Sequence, residues 1–128
     1  MTRICIDLDG VVCNIKMPHE KYSELLPVEG AKERLQQLKQ NGHYIILYTA
    51  RHMKTTGANV GLAMARIGKD TLDWLITHEI PYDEIYFGKP WADIYIDDNA
   101  LRFECWDKIN GDGSGLPISN EKLIRGDK

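Results

Sequence analysis

Cysteine is scarce in this chain: Cys5, Cys13 and Cys105 make an odd number with no CxxC spacing. That argues against both a disulfide framework and a zinc knuckle, and Cys5 reads most simply as a small buried hydrophobe. No apolar run approaches membrane-spanning length, and no internal repeat is present. A cationic excess is missing too, since 16 Lys and Arg stand against 19 Asp and Glu for a formal charge of -3. The chain therefore has no broad attraction for nucleic acid or anionic membrane, and neither is expected as a partner; a local cationic pocket is still allowed. Met1-Thr2-Arg3 runs straight into an apolar stretch, which leaves no room for a signal peptide and makes the cytoplasm the expected location. What is present, 128 residues with 43% hydrophobic and 27% charged content, suits one globular domain over 1–128. A domain of this size buries roughly two-thirds of its unfolded surface.

The chain is organised around Ile4-Cys5-Ile6-Asp7-Leu8-Asp9-Gly10-Val11-Val12. An apolar run that should form a buried strand ends in two carboxylates and a glycine. Alternate residues of a strand share a face, so Asp7 and Asp9 project together, about 6.6 Å apart along the backbone. Two like charges held close repel unless a cation or a shared proton compensates them. A metal is the natural compensator.

Residues 11–27, closed by Pro27, read as a hairpin-like flap. Over 28–41 the spacing of Ala31, Leu35 and Leu38, with Glu29 early, Lys39 late and Gly42 beyond, predicts a helix. The run 43–49 is apolar on consecutive positions, as in a parallel strand covered on both faces, and ends in Thr49-Ala50-Arg51. Gly57, Gly61 and Gly68 suggest that 51–68 is a long loop with one helical turn near 62–66. A second helix is expected over 70–78, with Leu72, Leu75 and Ile76 in the core and Trp74 packing. A short strand at 84–87, a turn at Gly88-Lys89-Pro90 and a strand at 93–96 delivering Asp97-Asp98 follow. A helix over 99–106 and a loop-rich tail over 107–128 complete the prediction. Strands alternating with helices imply a parallel sheet with right-handed crossovers.

Three strands then end in polar residues: Asp7 and Asp9, Thr49, and Asp97 and Asp98. In an open parallel sheet the carboxyl ends of the strands share one edge, where ligands bind, so all five should converge. Four carboxylates in one crevice call for a hard divalent cation. Mg²⁺ fits, because it accepts one or two carboxylates together with waters and phosphate oxygens. Lys89, on the turn before the last strand, can reach the same edge.

In order and spacing, Asp7-Leu8-Asp9-Gly10-Val11, the strand ending in Thr49, Lys89 in Gly-Lys-Pro and Asp97-Asp98 after Ile94-Tyr95-Ile96 resemble the four motifs of the haloacid dehalogenase superfamily. Asn59-Val60-Gly61 and the run from Ile80-Pro81-Tyr82 to Gly88-Lys89-Pro90-Trp91 resemble its small phosphatases encoded with bacterial capsule-biosynthesis genes. The resemblance implies a three-layer α/β/α Rossmann-like parallel sheet. No cap domain is expected, because 11–27 and 88–93 are too short to hold one. Val11 stands where the family often has Thr.

The resemblance also implies roles. Asp7 would be the nucleophile that forms an aspartyl-phosphate, and Asp9 would protonate the leaving group and then activate water. Thr49 and backbone N–H groups near Leu8, Gly10 and Ala50 would hold phosphate oxygens, and Lys89 would neutralise charge. Mg²⁺ would sit on Asp7, the Asp9 carbonyl, Asp97 and Asp98. Arg51, His52 and Lys54 are the substrate-contact candidates, with an ordinary ion pair an equal alternative for Arg51. Water exclusion would fall to the flap, the 51–68 loop, a second copy of the chain or a large substrate. The expected activity is Mg²⁺-dependent hydrolysis of a small phosphomonoester, a sugar or polyol phosphate of capsule assembly. The alternatives are a non-catalytic phosphosugar-binding or regulatory protein and a phosphatase of protein or nucleic-acid ends.

Overall fold

A computed structural model describes residues 1–126. The central strand, β2 (Tyr44–Thr49), lies between β1 (Arg3–Asp7) and β3 (Glu84–Phe87), and all three are parallel. Ile6 stands opposite Leu47, and Leu47 opposite Ile85. Ile45, Leu47 and Thr49 are buried while Tyr44, Ile46 and Tyr48 are only partly covered. The sheet therefore has one dry face and one half-open face, whereas consecutive apolar residues predict two buried ones.

The helices explain the asymmetry. Right-handed crossovers between strands lying in sequence order put both helices on one face. Leu35 and Leu38 of α1 (Ala31–Gln40) and Trp74 and Leu75 of α2 (Val60–Thr77) accordingly share one core with Ile6, Leu8, Ile45 and Leu47. Cys5, expected in the core, is instead exposed on the half-open face. Among the described residues no helix forms a third layer there: α3 (Asn120–Arg125) buries none of its residues. No helix among the described residues is long and apolar enough to cross a membrane.

Several expected elements are corrected. Residues 60–68 are not loop but the first half of α2, which runs unbroken for 18 residues. Asn59 caps it by accepting the Leu62 N–H at 3.0 Å. Its buried face reads Ala63, Ile67, Thr71, Trp74 and Leu75, so Leu72 and Ile76 are exposed rather than core. Each glycine costs a helix about 1 kcal/mol relative to alanine, and tertiary packing of that face outweighs Gly61 and Gly68.

The strand predicted at 93–96 does not form, nor does the helix at 99–106, where the chain is irregular up to a 3-10 turn at Trp106–Lys108. Among the described residues the outer edges of β1 and β3 carry no further strand, and 93–96 takes up neither. The Lys89 N–H still donates to the Thr49 carbonyl at 3.1 Å, but Pro90 has no N–H and the chain leaves the sheet there. Ile94 and Ile96 are 70% and 95% exposed.

The flap over 11–27 is seated by two indoles. Trp74 Nε1 donates to the Leu25 carbonyl at 2.7 Å, and Trp106 Nε1 donates to the Val11 carbonyl at 2.8 Å. Trp106 is fully enclosed, with Gly30 and Phe103 against it. Trp106→Ala is expected to cost roughly 3–5 kcal/mol from the lost packing. Trp106→Phe should cost about 1–3 kcal/mol, because it chiefly leaves the Val11 carbonyl unpaired. Urea unfolding monitored by far-UV circular dichroism checks both, and equal stability in all three proteins would show that the tail does not hold the flap.

Candidate active site

β1 ends at Asp7 and the chain turns at Gly10, whose φ of 89° is left-handed. A Cβ there would meet only the tip of the exposed Ile15 side chain, at 3.0 Å, so the backbone conformation rather than space calls for glycine. This turn sends the two aspartates to different partners. Asp7 Oδ2 lies 3.5 Å from Lys89 Nζ, and its side chain is 38% exposed. Burial pushes the Asp7 carboxyl above the usual aspartate range, the Lys89 ammonium opposes that shift, and the nearby Asp9 charge adds to it.

Asp9 is held at both oxygens. Arg51 Nε donates to Oδ1 at 2.9 Å, and the Thr49 hydroxyl donates to Oδ2 at 3.0 Å. The same Thr49 oxygen accepts the Arg51 backbone N–H at 3.1 Å. Thr49 thus gives its hydroxyl proton to Asp9. The backbone donors expected to face a phosphate are partly engaged as well: the Leu8 N–H bonds to the Tyr48 carbonyl and the Gly10 N–H to the Cys13 carbonyl.

Arg51 is not a surface residue awaiting substrate. Its Nη1 donates to Thr71 Oγ1 at 3.1 Å, its Nη2 points at Cys13 Sγ at 3.4 Å, and the ring of Tyr22 covers it at 4.2 Å. Burial is the main reason the Cys13 thiol is pushed up to about 11, so it remains a neutral S–H beside the guanidinium. His52 has a left-handed φ of 60° and sits near Tyr22. Its pKa is lowered by burial first and then by Arg66, Arg51 and Lys16, so the imidazole is neutral at pH 7. Ala50 accepts the Met53 N–H, and Lys54 packs on the Trp91 ring at 4.3 Å. The Tyr95 ring lies 4.3 Å from Lys89 Nζ.

Asp7, Asp9, Thr49, Lys89 and Arg51 therefore gather at the strand ends. Asp97 and Asp98 do not join them, because the strand that would carry them is an exposed loop. Among the described residues no group of three or more metal-ligating side chains assembles. The four-carboxylate set expected for Mg²⁺ is thus not assembled among the described residues: Asp7 and Asp9 are at the strand ends and Asp97 and Asp98 are on the exposed loop.

The crystal structure of an MCSG target from Vibrio cholerae is similar to this chain, with 31% sequence identity, a TM-score of 0.73, and coverage of 98% of this chain and 95% of the other. The chain belongs to the same family as that protein. The likeness to the Vibrio cholerae relative extends over nearly the whole of both chains, so the α/β fold with its parallel sheet is common to the two. No family model and no curated protein match the chain.

Sequence reasoning missed Tyr22, Cys13 and Thr71, the residues that enclose Arg51. Thr71 carried a usable signal: it falls four residues after Ile67 on the apolar face of α2, where a polar side chain needs a partner. Tyr22 and Cys13 carried none.

The raised pKa of Asp7 has a measurable consequence. Below the unfolded-state pKa of about 3.9 the carboxyl is neutral in both states and contributes no penalty. As pH rises through the raised folded-state value, the folded protein loses stability relative to one without that charge. Asp7→Asn should therefore gain in Tm relative to wild type as pH goes from 3.5 to 7. A gap between the two proteins that stays constant, or shrinks, over that range would contradict the assignment.

Proposed function

We propose that this protein hydrolyses phosphomonoesters of small metabolites as a capless member of the haloacid dehalogenase superfamily. The observation that carries the reading is the division of partners between two carboxylates two residues apart. Asp7 is half-buried beside an ammonium, and Asp9 is clamped between a hydroxyl and a guanidinium.

That arrangement suits an in-line exchange at phosphorus. A bond forms from an Asp7 oxygen to phosphorus while the bond from phosphorus to the substrate oxygen breaks, and the leaving oxygen takes a proton from the Asp9 carboxyl. Water then forms a bond to phosphorus as the aspartyl-phosphate bond breaks, and its proton passes to Asp9. Lys89 balances the charge on Asp7 and the phosphoryl oxygens. A sugar or polyol phosphate of capsule assembly, met in the cytoplasm, is the proposed substrate; the motif resemblance supports it, as do the exposed Trp91 and Tyr95 rings near Lys89 and Lys54.

Purified protein should release phosphate from members of a sugar and polyol phosphate panel, and Asp7→Asn should lose at least about a thousand-fold, since the covalent step has no substitute. Beryllium fluoride should form an adduct on Asp7. An adduct without turnover would favour a phosphosugar-binding protein, and neither result would end the reading.

Mg²⁺ belongs to the same proposal, with Asp97 and Asp98 recruited from their exposed loop. Millimolar Mg²⁺ should raise turnover and slow amide hydrogen exchange over 93–98. Higher turnover with unchanged exchange would place the metal on Asp7 and Asp9 alone, and no response in either would remove it from the proposal.

A further inference from the structure

The buried polar side chains among the described residues are Thr49, Arg51 and Thr71, and together with Asp9 they form one hydrogen-bonded chain. Its direction is fixed. The Thr71 hydroxyl gives its proton to the Ile67 carbonyl at 2.7 Å, so toward Arg51 it can only accept. Arg51 passes the polarity on: it accepts nothing and donates to Thr71, Cys13 and Asp9. Among the described residues Asp9 is the only carboxylate the guanidinium touches, and no buried side-chain nitrogen or oxygen lacks a partner.

A guanidinium taken out of water loses several kcal/mol of hydration, which an ion pair offsets only with good geometry and satisfied neighbours. The arrangement around Arg51 meets that demand on the turn after β1, on α2 and on the flap at once. The protein thereby acquires a carboxylate whose two oxygens point in directions set by the core.

We propose that Arg51 is a positioning residue acting through Asp9, seated by Thr71, and is not a substrate contact. This rests on the phosphatase reading of Asp9. A proton donor must lie about 2.6–3.2 Å from the leaving oxygen, and a carboxyl held at two points reaches that position without searching rotamers. The gain falls on the step in which the leaving oxygen takes the Asp9 proton as the phosphorus–oxygen bond breaks. It is large for an alkoxide, a poor leaving group, and small for p-nitrophenolate, which departs without a proton.

The test uses Thr71, which touches Arg51 but neither aspartate. In single-turnover experiments, Thr71→Val should slow leaving-group release from glycerol phosphate roughly ten-fold and from p-nitrophenyl phosphate less than two-fold. Thr71→Ser should restore the wild-type ratio, and Arg51→Lys should widen the gap toward the roughly hundred-fold range of general acid catalysis. A merely structural role would slow both substrates in equal proportion, and that result, or no change in folded Thr71→Val, would overturn the proposal.

A second measurement does not depend on turnover. The Arg51 Nε–H of wild-type protein should be visible by NMR with slow solvent exchange and should be lost in Asp9→Asn; fast exchange in wild type would overturn the clamp itself. If wild type turns over neither ester while this resonance is protected, the phosphatase reading has failed and the clamp has not.

Discussion

A guanidinium buried to 3% residue exposure has to be met by an anion and by acceptors that are themselves satisfied, and much of this molecule is arranged to meet Arg51. The sheet register places Thr49 at the end of β2 beside the turn that carries Asp9. Because α2 begins at Val60 and continues without a break, Thr71 falls on its inner face opposite the same guanidinium. The flap contributes Cys13 and the Tyr22 ring. One side chain thus ties four segments together. Removing a partner from such a buried pair typically costs roughly 3–5 kcal/mol, and here it would loosen a fold and a site together.

The two aspartates show how a shared origin can yield opposite electrostatics. Asp9 has two donors. Asp7 has one ammonium at 3.5 Å, and its burial outweighs that attraction. Charge on Asp7 is therefore held against the preference of the folded state. Strain of this kind is common where a group must react, and the surrounding structure sustains it.

Much of the site was legible in the sequence because its signals are local. Asp7-Leu8-Asp9-Gly10 announces a strand that ends in charge and turns, and the apolar run to Thr49 announces the strand beside it. The first helix and the 84–87 strand were legible for the same reason. Non-local features were not. Gly61 and Gly68 looked like breakers because their cost is local while the packing that offsets it, Ala63 and Ile67 against the core, is not. Ile94-Tyr95-Ile96 has the pattern of a strand, yet it joins neither outer edge of the sheet, and a local pattern carries no record of whether a distant edge will be met. For Arg51 a substrate contact and an ion pair read equally well, because its charge is plain in the sequence while Asp9, the flap and α2, which pair with it and enclose it, are distant along the chain.

The bond from Trp106 to the Val11 carbonyl spans 95 positions of sequence. A chain made from its N-terminus can pair β1 with β2 and pack α1 while the ribosome is still adding residues, because those contacts are close in sequence. The cover beside Asp9 has that option only in part. Trp74 can fasten one end of it early, but the bond to Val11 waits until residue 106 has emerged, so the nascent protein holds its sheet before its flap is fully seated. A product ending short of Trp106 would lack one of the two indole anchors of its flap.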